Sequence, residues 1–307
     1  MSPAARAAAR TGFPRRPRHA RPERRGAEPE AGDGPRSAAS DDDDSQTSGG
    51  ITMERPGLGA PRTVEFENGT YAILDMETVD GVHAANVGII TTAKTIVFVN
   101  TGMTHVQAAH LWDFAQSRAP GREMTYVIMT HHHLDHCYAA SYFDDRHSLI
   151  YAHKSFSSCM AETRKHLGAT DYQTMLEKFL DIDSETFASH VGNVHPVAPH
   201  RHVGEEMSLA VNGEEVVMIH CPGHAQSELV IYHPRTLTLY AGDAINEMAG
   251  PVTMFGDVGD WRKWVTGLEK LSKMEIETIV PGHGEICGPE IIDSHIETLE
   301  KKIEEAL

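Results

Sequence analysis

Cysteine is scarce in this 307-residue chain. The four present, Cys137, Cys159, Cys221 and Cys287, are widely spaced and form no CxxC pair. That argues against a disulfide framework and points to a reducing, cytoplasmic setting. Long apolar runs are missing too. No stretch approaches the ~18 consecutive apolar residues that a membrane helix requires, so no membrane partner is expected. Basic residues are outnumbered, 27 Lys and Arg against 44 Asp and Glu, for a net charge of −17. The first 52 residues hold nine arginines and eight acids, so the remainder carries −18. A body that acidic repels polyanions, and nucleic acid is excluded as a partner. Against these shortages stand 20 histidines.

Residues 1–52 are rich in Ala, Arg, Pro, Gly, Ser and Asp, with an Arg-Pro stretch and the acidic run Asp41 to Asp44. Ordering them would cost backbone entropy with little burial in return, so a disordered N-terminal extension is expected. Residues 53–307 then form the catalytic domain. Thr63–Phe66 and Tyr71–Leu74 flank Asn68-Gly69, a strong hairpin signal. Further strands are expected at Asn86–Ile90, Thr95–Val99, Tyr126–Met129, Met207–Val211, Glu215–Ile219, Glu228–Tyr232, Leu237–Tyr240 and Thr278–Val280. Helical spacing marks His105–Gln116, about Asp260–Lys273 and the chain from Glu290 onward, and residues 154–187 read as a helical insertion. Two halves, each with strands clustered and closing on helices, predict an α/β protein with two sheets packed together and helices outside.

Four short segments carry chemistry, each directly after an apolar strand. The first is Thr130-His131-His132-His133-Leu134-Asp135-His136. In extended backbone residues i and i+2 point the same way, so His131 and His133 can meet one cation while Asp135 and His136 serve a second. Imidazole and carboxylate suit zinc, manganese or iron. The second is Cys221-Pro222-Gly223-His224, in which Pro-Gly is expected to make a tight turn that aims the histidine back across the strand ends. The third is Tyr240-Ala241-Gly242-Asp243, where a carboxylate at the end of a buried strand is costly without a partner. The fourth, Val280-Pro281-Gly282-His283-Gly284, repeats the strand-Pro-Gly-His arrangement.

The order of these segments resembles the metallo-β-lactamase-fold hydrolase superfamily over about residues 62–307. The resemblance implies an αββα sandwich, two mixed β-sheets with helices on both outer faces and metals in a groove along one edge. It implies two Zn2+ per chain, Mn2+ or Fe2+ being compatible, with His131, His133 and His224 on the first and Asp135, His136 and His283 on the second. Asp243 then bridges. His132 interrupts the motif and is not expected to be a ligand, and Cys137, His220 and Cys221 are expected to pack nearby.

The implied activity is hydrolysis by a metal-bridging hydroxide, with Asp135 as catalytic residue orienting it or moving its proton. The expected partner is a small, partly apolar molecule carrying a thioester, ester, lactone or amide. Its walls are sought in residues 76–85, in the insertion and in Met248, Met254 and Phe255. A mononuclear iron sulfur dioxygenase uses a subset of the same ligands and is the alternative. One departure stands out: Val99-Asn100-Thr101-Gly102 has Asn where the family usually has Asp, and such a group orients a ligand and tunes its basicity.

Overall fold

The computed structural model describes residues 61–76 and 85–307, apart from the side chain of His190. The expected N-terminal extension, and residues 77–84 of the expected early wall, lie outside the described residues.

Asn68 and Gly69 both take left-handed backbone, φ 57° and 73°, which short polar and Cβ-free residues tolerate. Around them β1 (Arg62–Glu65) pairs antiparallel with β2 (Thr70–Leu74). The first half continues through β3 (Val87–Thr91), β4 (Thr95–Val99), α1 (His105–Arg118), β5 (Met124–Ile128) and the short α2 (Leu134–Cys137) and α3 (Ala140–Asp144). Next come β6 (Leu149–His153), the helices α4 (Phe156–His166), α5 (Tyr172–Leu180) and α6 (Ser184–His190) of the insertion, and β7 (Arg201–Val203). The second half holds β8 (Glu206–Val211), β9 (Glu214–His220), β10 (Leu229–His233), β11 (Thr238–Gly242), α7 (Val258–Leu271), β12 (Thr278–Pro281) and α8 (Glu290–Glu305).

Seven strands form one sheet in chain order, and five form the other in the order β12-β11-β10-β9-β8. Both are mixed: β1 to β4 pair antiparallel and β4 to β7 parallel, while only β11 and β12 are parallel in the smaller sheet. The strand period of two explains the layers. In β4, Ile96 and Phe98 join a core under α1, α3 and the insertion, whereas Val97 and Val99 face the other sheet. In β10, Leu229 and Ile231 meet that same inter-sheet core, whereas Val230 and Tyr232 pack with Trp264 and Leu268 of α7 and Ile292 and Leu299 of α8. Three apolar cores separate four layers, which is the αββα sandwich.

Two strands have no counterpart in the sequence reading. β7 is a three-residue strand whose Arg201 and His202 are exposed, so it carries no apolar pattern. β6 is only five residues long and runs almost directly into α4, where a short apolar run reads equally as a helix start. Among the described residues no helix is long and apolar enough to cross a membrane.

The register sets the site. β9 and β11 both run antiparallel to β10, and β12 runs parallel to β11, so all three end at the same side of the smaller sheet. Leu229 N–H donates to Thr130 O at 2.8 Å and Asn86 N–H to Gly282 O at 2.8 Å, tying those ends to the larger sheet.

Candidate metal centre

Each of the four motifs leaves the carboxyl end of its strand, and the chain reversals that follow turn the side chains toward one another. The Pro-Gly glycines serve close approach, not the left-handed backbone of a tight turn: neither Gly223 nor Gly282 has a positive φ. A Cβ on Gly223 would overlap the Trp264 Cβ, and one on Gly282 would overlap Asp243 Oδ1 and lie 2.8 Å from Gly242 O.

All seven expected residues come together, in two groups whose donor atoms lie within 4.8 Å of one another. His131, His133, His224 and Asp243 form the first, and Asp135, His136 and His283 the second. His224 Nε2 lies 3.0 Å from His133 Nδ1 and 3.3 Å from Asp243 Oδ2. The other oxygen, Asp243 Oδ1, lies 3.3 Å from His136 Nε2 and 3.5 Å from His283 Nε2. Asp135 Oδ2 is 3.0 Å from His283 Nε2 and 3.5 Å from His136 Nε2. Asp243 thus turns one oxygen to each group.

Three of the five rings have polar neighbours behind them as well. His131 Nδ1 lies 3.1 Å from Thr130 Oγ1 and 3.3 Å from Glu228 Oε2, and His224 Nδ1 lies 3.2 Å from Val252 O. His136 Nδ1 faces Asn100 Nδ2 at 3.0 Å. Glu228 is completely buried and accepts from Asp243 N–H at 3.2 Å through Oε1. Sequence reasoning missed it, taking Glu228 as the first residue of a strand. The available signal was an acid four residues beyond His224 at the head of the apolar run of β10.

Burial and the neighbouring rings hold His131 and His133 well below the usual imidazole range, so both are neutral. His224 is lowered by burial, with Asp243 opposing. Burial pushes the Asp135 carboxyl up, but His136 and His283 outweigh it and hold it at about 2. For Asp243 burial is likewise outweighed, by His136 and His224, and its carboxyl stays ionised far below the ordinary range. Burial lowers His283, and the carboxylates of Asp135 and Asp243 raise it to about 9. Glu228 is raised well above the carboxylate range by burial and by Asp243.

The neutral imidazoles of His131, His133 and His224 with the ionised carboxylates of Asp135 and Asp243 are a donor set that suits a divalent cation. Three donors of the two groups, His131 Nε2, His136 Nε2 and Asp243 Oδ1, are buried without a hydrogen-bond partner. Buried polar atoms are rarely left so, and a cation facing them removes the cost.

The accessory residues sort as follows. His132 joins neither group, and its Nδ1 bonds Ser227 Oγ at 2.8 Å. Cys137 donates to His133 O at 3.2 Å, and the buried Cys221 thiol is pushed up to about 12 by burial and Glu228. His220 stacks on His153 with ring centroids 3.8 Å apart, away from both groups. Phe255 is half exposed and lies over His133 and His224 at 4.6 and 5.5 Å, while Met248 and Met254 are exposed.

The model of the metallo-beta-lactamase superfamily matches residues 80–283. The chain belongs to that superfamily, whose members are mainly metal-dependent hydrolases and whose fold implies binding of divalent metal. It is 23% identical over 175 residues to a probable metallo-hydrolase, YqjP, of Bacillus subtilis, covering 52% of this chain and 54% of that protein. It is also 23% identical to the 2,4-dinitroanisole O-demethylase subunit alpha of a Nocardioides species, over 55% of this chain and 43% of that one. The match thus spans about half the length of these relatives. Among solved structures, a metallo-beta-lactamase from Pontibacter korlensis shares the fold at a TM-score of 0.59 and 13% identity, covering 78% of this chain and 99% of that one.

Proposed function

We propose that this chain is a hydrolase that holds two divalent cations, zinc foremost with manganese or ferrous iron compatible. It cleaves a thioester, ester, lactone or amide of a small, partly apolar molecule. The observation that carries the reading is Asp243, with Oδ2 toward His224 and Oδ1 toward His136 and His283. His131, His133, His224 and Asp243 would hold one ion, and Asp135, His136, His283 and Asp243 the other. Cations held there supply a water activated from a pKa of 15.7 to about 7 and a positive field for a developing oxyanion.

The protein's own groups do the rest. Asp135 stays ionised between His136 and His283, so its carboxylate can orient the attacking water and carry a proton toward the leaving group. Phe255 offers an apolar wall beside His133 and His224 that orients the substrate and keeps bulk water from that side. The exposed Met248 and Met254 extend this wall with side chains that adapt to varied apolar shapes. All four cysteines are free, which supports a reducing, cytoplasmic setting.

The test combines metal content of the full chain by mass spectrometry with chromogenic thioester, ester, lactone and β-lactam substrates. A phosphodiester and 2,4-dinitroanisole complete the panel, the latter because one relative is named for it. Close to two zinc ions per chain with hydrolysis of a carboxylic derivative is the expected result. One iron per chain with oxygen uptake and no hydrolysis would overturn it in favour of a sulfur dioxygenase.

A further inference from the structure

Residues 246–255, between β11 and α7, carry the apolar wall beside the donors. Phe255 lies over His133 and His224, and Val252 O faces His224 Nδ1 at 3.2 Å. Yet among the described residues no backbone N–H of residues 248–255 reaches another element, and Ala249 N–H turns back to Asn246 Oδ1 at 2.8 Å. A segment tied so little by its own backbone opens readily unless side chains hold it.

Two side chains do, and both come from α8. His295 is 3% exposed, and its Nδ1 lies 3.1 Å from Ile291 O. A carbonyl can only accept, so Nδ1 carries the proton of the ring and Nε2 is left as an acceptor. That atom takes the backbone N–H of the buried Asn246 at 3.2 Å. Burial lowers His295 below its ordinary value, so the ring stays neutral and the acceptor stays in place. Seven residues on, about 10 Å along the same face of the helix, Lys302 Nζ donates to Thr253 Oγ1 at 2.9 Å. Thr253 sits between Val252, which meets His224, and Phe255, so the segment is pinned at both ends.

We propose that α8 frames the substrate wall, with His295 and Lys302 as positioning residues that fix residues 246–255 and Lys302 setting the place of Phe255. Lys302 acts through Thr253 and the ring beyond it. A wall already fixed loses less conformational freedom when substrate arrives, and that difference appears as affinity. This rests on the hydrolase reading above and adds what holds its apolar wall in place.

The experiment uses the full-length chain, zinc-loaded for kinetics on the carboxylic derivative that the panel identifies and metal-free for amide hydrogen exchange. Lys302→Ala is expected to raise KM about two- to tenfold, the worth of one ordinary hydrogen bond, with kcat within about twofold. Lys302→Arg keeps a donor on a long stem and should recover most of the loss, and Thr253→Val should copy Lys302→Ala. In a Phe255→Ala background Lys302→Ala should raise KM no further, because a residue that acts through the ring loses its effect with the ring. Lys301→Ala is the matched control, since Lys301 is exposed and 4.0 Å from Glu305 on the same helix, and it should change nothing. In metal-free protein Lys302→Ala should speed exchange at Gly256, whose N–H lies 3.5 Å from Thr253 O, and His295→Leu should speed it at Asn246 and Ala249. An unchanged KM in Lys302→Ala, additive effects with Phe255→Ala, or exchange that is unchanged in the segment or faster throughout the fold would overturn the inference while leaving hydrolysis standing. Exchange needs neither metal nor substrate, so it decides the inference even where no carboxylic derivative is cleaved, an outcome that would sink the hydrolase reading instead.

Discussion

His131, His133 and His224 sit on the closed side of Asp243, and Asp135, His136 and His283 on its open side. His131 is fully buried and His224 only 2% exposed, with Phe255 laid over the latter. His133 is partly exposed, and on the other side His136 is fully buried while the His283 and Asp135 side chains are 18% and 17% exposed. The first group has one carboxylate, shared, and rings held neutral by burial. The second has a carboxylate of its own, and His283 is raised to about 9 by Asp135 and Asp243. A buried, neutral donor set is ready for a cation without losing a proton; a half-open set that holds a protonated imidazole must release one first. Burial and charge alone thus set the two groups apart.

The comparison breaks most completely where the halves join. Asp243→Ala removes the residue both groups share, so bound metal and kcat/KM are expected to fall together, the latter by more than about a hundredfold, beyond what loss of an outer partner costs. Activity within tenfold of the native protein would show that the two groups work independently. Gly282→Ala tests the same residue from behind, since the new Cβ would overlap Asp243 Oδ1 and press on Gly242. A displacement of about 1 Å can cost on the order of 10²-fold in rate, so kcat is expected to fall by up to that factor with the fold retained. Gly204→Ala, with nothing within 4 Å of its Cβ position, is the matched control and should be neutral.

The donors themselves were legible because each follows an apolar strand and because strand periodicity places His131 and His133 together. The sheets were legible for the same reason: β2, β4, β10 and β11 are buried on both faces and read as apolar runs. What supports the donors was not. Glu228 follows a polar Gln226-Ser227 pair, and its role exists only because Leu229 N–H bonds Thr130 O and swings the start of β10 beneath His131. The glycines of the Pro-Gly pairs looked like turn formers, but their reason lies in Trp264 and Asp243, about 40 residues away along the chain in each case. Asn100 was visible as a departure. The direction of its amide was not, because Thr130 N–H sets it.

Charge separates the halves in chelator-treated protein. His131, His133 and His224 have folded-state pKa values below the unfolded one near 6.5, so the unfolded chain takes up more protons as pH falls. Their contribution to stability is present above pH 6.5 and is lost in acid. His132 and His153, each lowered to about 4 chiefly by burial, add to the same limb. His283, raised to about 9, has the opposite sign: its contribution is full below pH 6.5 and is lost as pH rises through 9. The Tm of the metal-free chain is therefore expected to fall on both sides of about pH 6.5, and His283→Ala should flatten the alkaline limb while also letting the Asp135 carboxyl rise, which weakens the acid side. An alkaline limb unchanged in that variant would show that the open side is not the source.

The smallest expected effect lies on the face that only the first group possesses. Phe255 is 55% exposed and its ring lies 4.6 Å from His133 and 5.5 Å from His224, whereas the ring contacts of His283 are to His136 alone among the described residues. If the apolar part of the substrate rests on Phe255, Phe255→Ala removes a contact of about 0.5–1.5 kcal/mol, which corresponds to about two- to tenfold in affinity. KM for the preferred substrate should rise by that factor and kcat should stay within about twofold, because the donors keep their positions. Phe255→Leu retains an apolar surface and should recover part of the loss. A fall in kcat without a change in KM would mean that the ring holds His133 and His224 in place and that substrate enters from the open side instead.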